Sequence, residues 1–222
     1  MSEMKATFLR PSGVDLDVAN AARVSFGKHK DELDAKDMRL INYLAKHRHE
    51  IPFAHVGASF HFKAPIFVAR QLAKHQVGFV WSEISRRYVT GGVEFWWPEK
   101  WRKAAVDVKQ GSSDEGVPEM ETASMRRYAE QTLAQALDVY QRMVAAGVCA
   151  EQARAWLPAS TYTEWHWTGS LLGWARVWGL RTKAGAQRET QDLVRQIDGP
   201  LSGAFPYAWA ALKHYASKVE AE

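Results

Sequence analysis

The chain has 222 residues and a mass of 25.1 kDa, the size of one ordinary domain. Hydrophobic residues make up 46% of it and charged residues 24%, a balance that excludes a chain disordered throughout. Cys149 is the one cysteine, which excludes an internal disulfide and a CxxC zinc or redox motif. Because the sequence has neither a signal peptide nor an apolar run of about 18 residues, we expect a cytoplasmic protein with no membrane partner.

The charge balance indicates a class of partner without identifying it. With 29 Lys and Arg against 25 Asp and Glu, the net charge is +4 and the pI is about 9.1. This suits nucleotides, phosphorylated metabolites or nucleic acid. No basic run or stacking motif supports a nucleic-acid-binding module, so we expect no nucleic acid partner. The 10 tryptophans suit a core, a subunit interface or a platform for flat rings.

The N-terminal half is predicted to mix short strands with helices. Apolar residues at helical spacing predict the helices, and alternating apolar residues predict the strands. Asp34 is the expected N-cap of the second helix. In chain order, the predicted elements are a strand at Lys5–Arg10, helices at Val18–Phe26 and Asp34–His47, a strand at Val56–Phe62, a helix at Ile66–His75 and a strand at Val93–Trp97.

A polar segment, Val108–Pro118, is predicted to be a loop that leads into a helical C-terminal half. The long helix that follows, Glu119–Ala146, has an apolar stripe that includes Met125, Tyr128 and Tyr140 and is expected to be buried. Beyond it we predict a helix at Ala150–Leu157, a strand at Thr161–Thr168 and a helix at Leu171–Leu180 capped by Ser170. Helices and short strands in irregular order favour a single α+β domain over residues 1–222.

Candidate chemistry is concentrated in Lys74–Tyr88, whose cations and hydroxyls suit a phosphate and whose Glu83 suits a ribose hydroxyl. A surface helix is the alternative interpretation of this segment. Arg154 and Arg181 lie in apolar sequence, which indicates a guanidinium held by a salt bridge or by a ligand. Cys149 has no neighbouring histidine and is expected to be buried and inert. The histidines lack zinc-site spacing, so no metal is expected.

Seven blocks, in order, resemble the flavin-dependent thymidylate synthases. Arg154 and Arg181 are 27 residues apart, the spacing expected of that family's two arginines. The resemblance implies an α+β fold with a small, mostly antiparallel sheet flanked by long helices, and a homotetramer with sites shared between subunits. The blocks are Ala21–Phe26, Leu40–His55, Phe60–Gln71, Ser82–Tyr88, Ala153–Pro158, Tyr162–Thr168 and Gly179–Glu189.

The resemblance also implies a reaction. Family members convert dUMP to dTMP, taking the one-carbon unit from 5,10-methylenetetrahydrofolate and reducing power from NADPH through FAD. They use no cysteine nucleophile, which agrees with a chain whose one cysteine has no activating neighbour. Two alternatives within the same fold stay open: hydroxymethylation of dUMP, or methylation of UMP. A third alternative is a nucleotide binder without catalytic activity.

The positions that match the family's dUMP site form a set of arginines with polar neighbours. Arg181 matches the arginine at the pyrimidine ring, and the resemblance implies that it is the catalytic residue, because a cation there stabilises negative charge that builds on the base. The implied dUMP-binding set is Gln71, Glu83, Ile84, Ser85, Arg86, Arg87, Arg154 and Arg181.

The flavin site departs from the family pattern. The family motif is Arg-His-Arg, seven residues and then Ser, whereas this chain has Lys74-His75-Gln76 and eight residues before Ser85. Gln76 lacks the family's charge, and Arg176 is a hypothetical replacement for it. A family histidine near the flavin is Gly185 here. The implied FAD-binding set is Ser25, Lys74, His75, Gln76, Glu83, Ser170 and Arg176.

Overall fold

The computed structural model describes residues 3–106 and 111–216. Its strands are β1 (Lys5–Ser12), β2 (Gly57–Pro65), β3 (Phe79–Glu83), β4 (Arg102–Ala104), β5 (Ser112–Gly116) and β6 (Tyr162–Ser170). Its α-helices are α1 (Asp15–Arg23), α2 (Ala35–Lys46), α3 (Ile51–Ala54), α4 (Ile66–Leu72), α5 (Glu119–Ala145), α6 (Ala150–Ala153), α7 (Leu171–Arg181), α8 (Arg188–Arg195), α9 (Asp198–Ala204) and α10 (Pro206–Ala216). This mixture confirms the predicted α+β class.

The described residues fall into two units, each with its own set of internal contacts. Unit 1 comprises residues 3–4, Lys63–Gln71 and Glu83–Trp165 as far as they are described. Unit 2 comprises Lys5–Phe62, Leu72–Ser82 and residues 166–216. Strands β2, β3 and β6 have residues in both units. A single domain over residues 1–222 stays a prediction.

A four-stranded sheet has the order β1-β2-β6-β3. In unit 2, the Ser59 and Thr168 hydroxyls lie 2.8 Å apart, and the Leu171 N–H donates to the Val56 carbonyl at 2.8 Å. Residue numbers therefore rise along β2 as they fall along β6, which makes this pair antiparallel. The predicted small, mostly antiparallel sheet is confirmed.

Alternation along β2 and β6 directs aromatic rings to the inner face of the sheet. Phe60, Phe62 and Trp167 are fully buried in unit 2 together with Trp174 of α7. Phe79 packs on Trp167 with 4.5 Å between ring centroids and on Trp174 with 4.9 Å. These five rings form what we call the aromatic cluster.

Two glycines leave the space that the Phe79 ring occupies. A Cβ atom on Gly173 would lie 2.8 Å from the Phe79 ring, and a Cβ on Gly169 would collide with that ring directly. Glycine at these two positions therefore sets how closely β3, β6 and α7 approach one another in unit 2.

Local signals explain where two of the unit 2 helices begin. The Asp34 carboxylate accepts hydrogen bonds from the N–H groups of Lys36 and Asp37, which confirms it as the N-cap of α2. The Ser170 hydroxyl accepts from the Gly173 N–H at 3.1 Å and caps α7, also as predicted. In both helices a short oxygen-bearing side chain satisfies N–H groups that the first turn leaves without partners.

Unit 1 departs from the prediction in two segments. The predicted loop Val108–Pro118 contains strand β5, which pairs antiparallel with β4; residues 107–110 lie outside the described residues. The predicted strand Val93–Trp97 is wrong, because only an isolated bridge from Phe95 to Thr161 forms. The sequence of β5 is polar and has glycines at its ends, so it lacks the apolar alternation that predicts a strand. The strand forms because it pairs with β4.

The long helix α5 confirms the predicted bounds but not the predicted buried stripe. Tyr140 is its one buried residue, and its hydroxyl donates to the Thr90 carbonyl at 3.0 Å. Met125 is 45% exposed and Tyr128 is 61% exposed. Apolar spacing identifies which face of a helix is apolar, but it does not determine what covers that face.

Candidate active site

The segment Lys74–Gly78 connects α4 to β3 in unit 2. The helix predicted to reach His75 ends at Leu72. Gly78 has a φ of +78°, and a Cβ there would lie 2.7 Å from the Ser170 hydroxyl oxygen, so both its conformation and its surroundings require glycine. The Ser170 N–H donates to the Gly78 carbonyl at 2.9 Å. This contact fixes the segment against the start of α7.

Arg181, the last residue of α7, contacts the same segment. Its Nε donates a hydrogen bond of 2.8 Å to Nε2 of His75. The His75 ring lies 6.5 Å from the ring of Trp167 in the aromatic cluster. Burial, followed by the charge of Arg181, lowers the pKa of His75 from 6.5 to about 4. His75 is therefore neutral at pH 7.

Four other residues of unit 2 that are predicted to bind the flavin have exposed side chains. Lys74 and Gln76 are exposed, and so is Ser25, in a 3₁₀ turn after α1. The guanidinium of Arg176 donates to the Glu50 carboxylate at 2.6 Å, and both side chains are about half exposed. These exposed side chains offer an ammonium, a guanidinium, an amide and a hydroxyl to a ligand. Such a donor set fits the diphosphate and ribose hydroxyls of a flavin dinucleotide.

In unit 1, Glu83 ends β3 beside the start of β6. The Thr163 hydroxyl donates to the Glu83 carboxylate at 2.6 Å, and Thr163 is 6% exposed. The Ile84 N–H donates to the Glu164 carbonyl at 2.9 Å and holds the backbone that follows. The carboxylate predicted to bind a ribose is therefore anchored at one of its oxygens.

The arginines of unit 1 have three different environments. Arg87 forms an ion pair with Glu151 of α6, with side chains that are 49% and 53% exposed. Arg154, at the end of the same helix, is exposed and makes no ion pair with any described residue. Arg86 donates to the Gly91 carbonyl at 2.5 Å and to the Gly92 carbonyl at 3.1 Å. Arg87 and Arg154 can accept a phosphate at low cost, whereas Arg86 supports a turn of the backbone.

The two remaining nucleotide residues also lie in unit 1. The Ser85 hydroxyl accepts from the Arg87 N–H at 3.2 Å, which shapes the turn that carries both residues. Gln71 lies near the end of α4 and is half-buried. The dUMP-binding and FAD-binding roles of the whole predicted set stay predictions.

Three polar residues that hold predicted site residues were not predicted: Thr163, Glu151 and Glu50. Glu151 lies three residues before Arg154 on α6, but its ion pair is with Arg87 of another segment, so this spacing did not indicate the contact. Thr163 and Glu50 reach Glu83 and Arg176 from distant parts of the chain. Single-sequence patterns carry no information about such contacts.

The prediction for Cys149 is wrong in one respect, because the thiol is exposed rather than buried. The residue lies at the N-terminal cap of α6, where the chain turns after α5. Within residues 3–106 and 111–216, no group of three or more His, Cys, Asp or Glu side chains could hold a metal ion. None of the helices in the described part of the chain is long and apolar enough to cross a membrane.

The fold and these residues define a class of protein. The family model described as "Thymidylate synthase complementing protein" matches residues 9–207, so the chain belongs to that family. Its curated relatives include the flavin-dependent thymidylate synthase of Thermus thermophilus, 37% identical over 91% of this chain and 73% of the relative. The flavin-dependent thymidylate synthase of Thermosipho africanus is 35% identical over 93% of this chain and 89% of the relative. The resemblance inferred from the sequence blocks is confirmed.

Solved structures agree with this assignment. The UMP/dUMP methylase PolB from Streptomyces cacaoi, bound with 5-Br dUMP, superposes with a TM-score of 0.86. Its sequence identity is 29%, and the match covers 97% of both chains. The same enzyme bound with 5-Br UMP gives a TM-score of 0.85 and 26% identity.

Proposed function

We propose that this protein is a flavin-dependent enzyme that methylates C5 of dUMP to give dTMP. The observation that carries the proposal is the family match over residues 9–207, which contains every predicted site residue. The relatives named flavin-dependent thymidylate synthases support the same reaction. We further propose 5,10-methylenetetrahydrofolate as the carbon donor and NADPH as the reductant.

The residues of unit 1 are proposed to bind the phosphate and the sugar. Arg87 and Arg154 present guanidinium groups, which form paired hydrogen bonds to phosphate oxygens. Ser85 adds a hydroxyl, and Glu83, anchored by Thr163, accepts a hydrogen bond from a sugar hydroxyl. Arg87 would leave Glu151 and pair with the phosphate instead. This exchange favours the ligand, because a phosphate dianion carries more charge than a carboxylate.

Arg181 is proposed to act on the pyrimidine. Its cation would stabilise the negative charge that builds on the base and makes C5 nucleophilic towards the one-carbon unit. Since His75 is neutral, it orients Arg181 without cancelling that charge. The exposed Cys149 is assigned no role in the reaction.

The flavin is proposed to be FAD, held by Lys74, Gln76, Arg176 and Ser25 of unit 2. When bound, it supplies the hydride-transfer chemistry. Lys74 and Arg176 would pair with its diphosphate, and Gln76 would donate an amide N–H where the family has an arginine. A homotetramer, a cytoplasmic location and a single domain over residues 1–222 complete the proposal.

Turnover of dUMP with FAD, NADPH and 5,10-methylenetetrahydrofolate tests the proposal when each component is omitted in turn. We expect dTMP only in the complete mixture, and we expect Cys149→Ala to keep full activity as a matched control. Formation of dTMP without flavin, or its loss in Cys149→Ala, would contradict the proposed route.

Methylation of UMP is the second candidate function. The match to the UMP/dUMP methylase over 97% of both chains favours it as an additional or alternative activity. Supplying UMP alone to the complete mixture tests it. A methylated UMP supports this candidate, and recovery of unchanged UMP by an enzyme that is active on dUMP discards it.

A further inference from the structure

The hydrogen bond between Arg181 and His75 joins two residues that the sequence assigns to different ligands. The resemblance to the family implies a role at the pyrimidine for Arg181 and a role at the flavin for His75. In unit 2 the two side chains meet directly, with Arg181 Nε donating to His75 Nε2 at 2.8 Å. His75 therefore has a protein partner that its assigned role does not explain.

The chemistry of the two groups fixes the protonation of His75. A guanidinium has only donors, so the nitrogen that accepts from it must lack a proton. The proton of the neutral imidazole then lies on Nδ1. The bond uses Nε of Arg181 and leaves both terminal nitrogens of the guanidinium uninvolved in this contact.

A neutral acceptor differs from the carboxylates that hold other arginines of this protein. Glu50 pairs with Arg176, and Glu151 pairs with Arg87. A carboxylate fixes an arginine but also offsets its positive field, whereas a neutral imidazole fixes it without adding a negative charge. The neutral partner is therefore the appropriate one for an arginine that must stabilise charge.

We propose that His75 is a positioning residue that fixes the plane of the Arg181 guanidinium through its unprotonated Nε2. The inference rests on the proposed function for the role of Arg181 at the pyrimidine. Two anchors hold His75 in place: the 2.9 Å hydrogen bond from its own N–H to the Leu72 carbonyl, and the neighbouring Trp167 ring. The hydrogen bond from the Ser170 N–H to the Gly78 carbonyl fixes the other end of the same segment.

Two substitutions distinguish the positioning of Arg181 by His75 from a flavin contact or a purely structural role of His75. His75→Phe keeps the ring volume and removes the acceptor, and His75→Gln places an uncharged amide oxygen near the position of Nε2. Binding of dUMP and of deoxyribose 5-phosphate, which lacks the base, is measured for both variants at saturating FAD. The FAD affinity and the melting temperature of each variant are measured alongside.

We expect His75→Phe to weaken dUMP binding by about tenfold or more, the usual cost of losing a hydrogen bond to a charged group. Binding of deoxyribose 5-phosphate should stay within about twofold of wild type, and His75→Gln should restore dUMP binding to within about threefold. A folded His75→Phe that binds dUMP as wild type does, or that loses both ligands equally, overturns the proposal. Loss of FAD affinity alone overturns it in favour of a flavin contact.

A measurement on the wild-type protein covers the case in which His75→Phe does not fold. Nitrogen-15 NMR of the histidine side chains at pH 7 should show His75 with a proton on Nδ1 and an unprotonated Nε2. A proton on Nε2 overturns the proposal. Failure of wild-type protein to bind dUMP would instead contradict the proposed function, so the two failures are distinguishable.

Discussion

In unit 1, Arg87 pairs with Glu151 on the surface; in unit 2, Arg181 is held by His75 beside the aromatic cluster. An exposed ion pair contributes about 0–1 kcal/mol, so Arg87 can leave Glu151 for a ligand anion with little loss. The partly buried pair has a neutral acceptor and therefore orients its arginine without discharging it. The exposed ion pair of Arg87 therefore suits exchange with a phosphate, whereas the hydrogen bond to His75 suits an arginine that acts as a fixed cation.

The largest effect should come from the fixed cation. Arg181→Ala removes the charge proposed to stabilise the pyrimidine, and we expect turnover of dUMP to fall by at least about a hundredfold. Arg181→Lys keeps the charge but lacks the planar fork and the Nε donor, so it should recover only part of the rate. Steady-state kinetics check both variants, and a fully active Arg181→Ala would refute the assigned role.

A smaller effect is expected at the exchangeable arginine. Arg87→Ala should raise the KM for dUMP by about tenfold, because one charge-assisted contact to the phosphate is lost. Binding of deoxyuridine, which lacks the phosphate, should not change. Glu151→Gln is the matched control, and it should alter the free energy of unfolding by less than about 1 kcal/mol and leave dUMP binding equal to or tighter than wild type. Equal loss of dUMP and deoxyuridine binding in Arg87→Ala would contradict a contact between Arg87 and the phosphate.

The half-buried position of His75 predicts a pH effect on stability. Because its pKa falls from 6.5 to about 4 on folding, the folded protein binds this proton more weakly than the unfolded chain does. Its contribution to stability is therefore complete above pH 6.5 and is lost as the pH falls towards about 4. His75→Gln lacks this titration, so wild type should lose stability relative to the variant across that range. Urea denaturation at several pH values measures the difference, and parallel curves would argue against a neutral His75 in the folded protein.

The smallest effect is expected at Arg176. If this cation replaces the charge absent at Gln76, Arg176→Ala should lower FAD affinity by roughly threefold, as expected of one half-exposed ionic contact. Glu50→Gln removes the pairing carboxylate but keeps the cation, and FAD affinity should then be unchanged or higher. Fluorescence titration of FAD compares the variants, and unchanged affinity in Arg176→Ala discards the compensation hypothesis.

Elements with local signals could be predicted from the sequence. Asp34 and Ser170 cap α2 and α7 as expected, because a capping side chain and its N–H partners lie within one turn. The end of α4 at Leu72 could not be predicted, since the contact of Gly78 with Ser170 joins distant parts of the chain. Strand β5 was missed for a similar reason, because its partner β4 supplies the pairing.

The same distinction applies to the candidate site. The resemblance located Arg87 and Arg181 by their sequence blocks, and the family match confirms the resemblance. Their partners, Glu151 and His75, could not be deduced, because each pair is set by the packing of separate elements. The exposure of Cys149 was predicted wrongly, because the absence of a neighbouring histidine carries no information about burial.

The mass of the nucleotide product tests the central claim most directly. Purified protein is incubated with dUMP, FAD, NADPH and 5,10-methylenetetrahydrofolate, and the nucleotides are separated and analysed by mass spectrometry. We expect a product that carries one added methyl group at C5 and co-elutes with dTMP. Recovery of unchanged dUMP, or a product that carries a hydroxymethyl group, would contradict it.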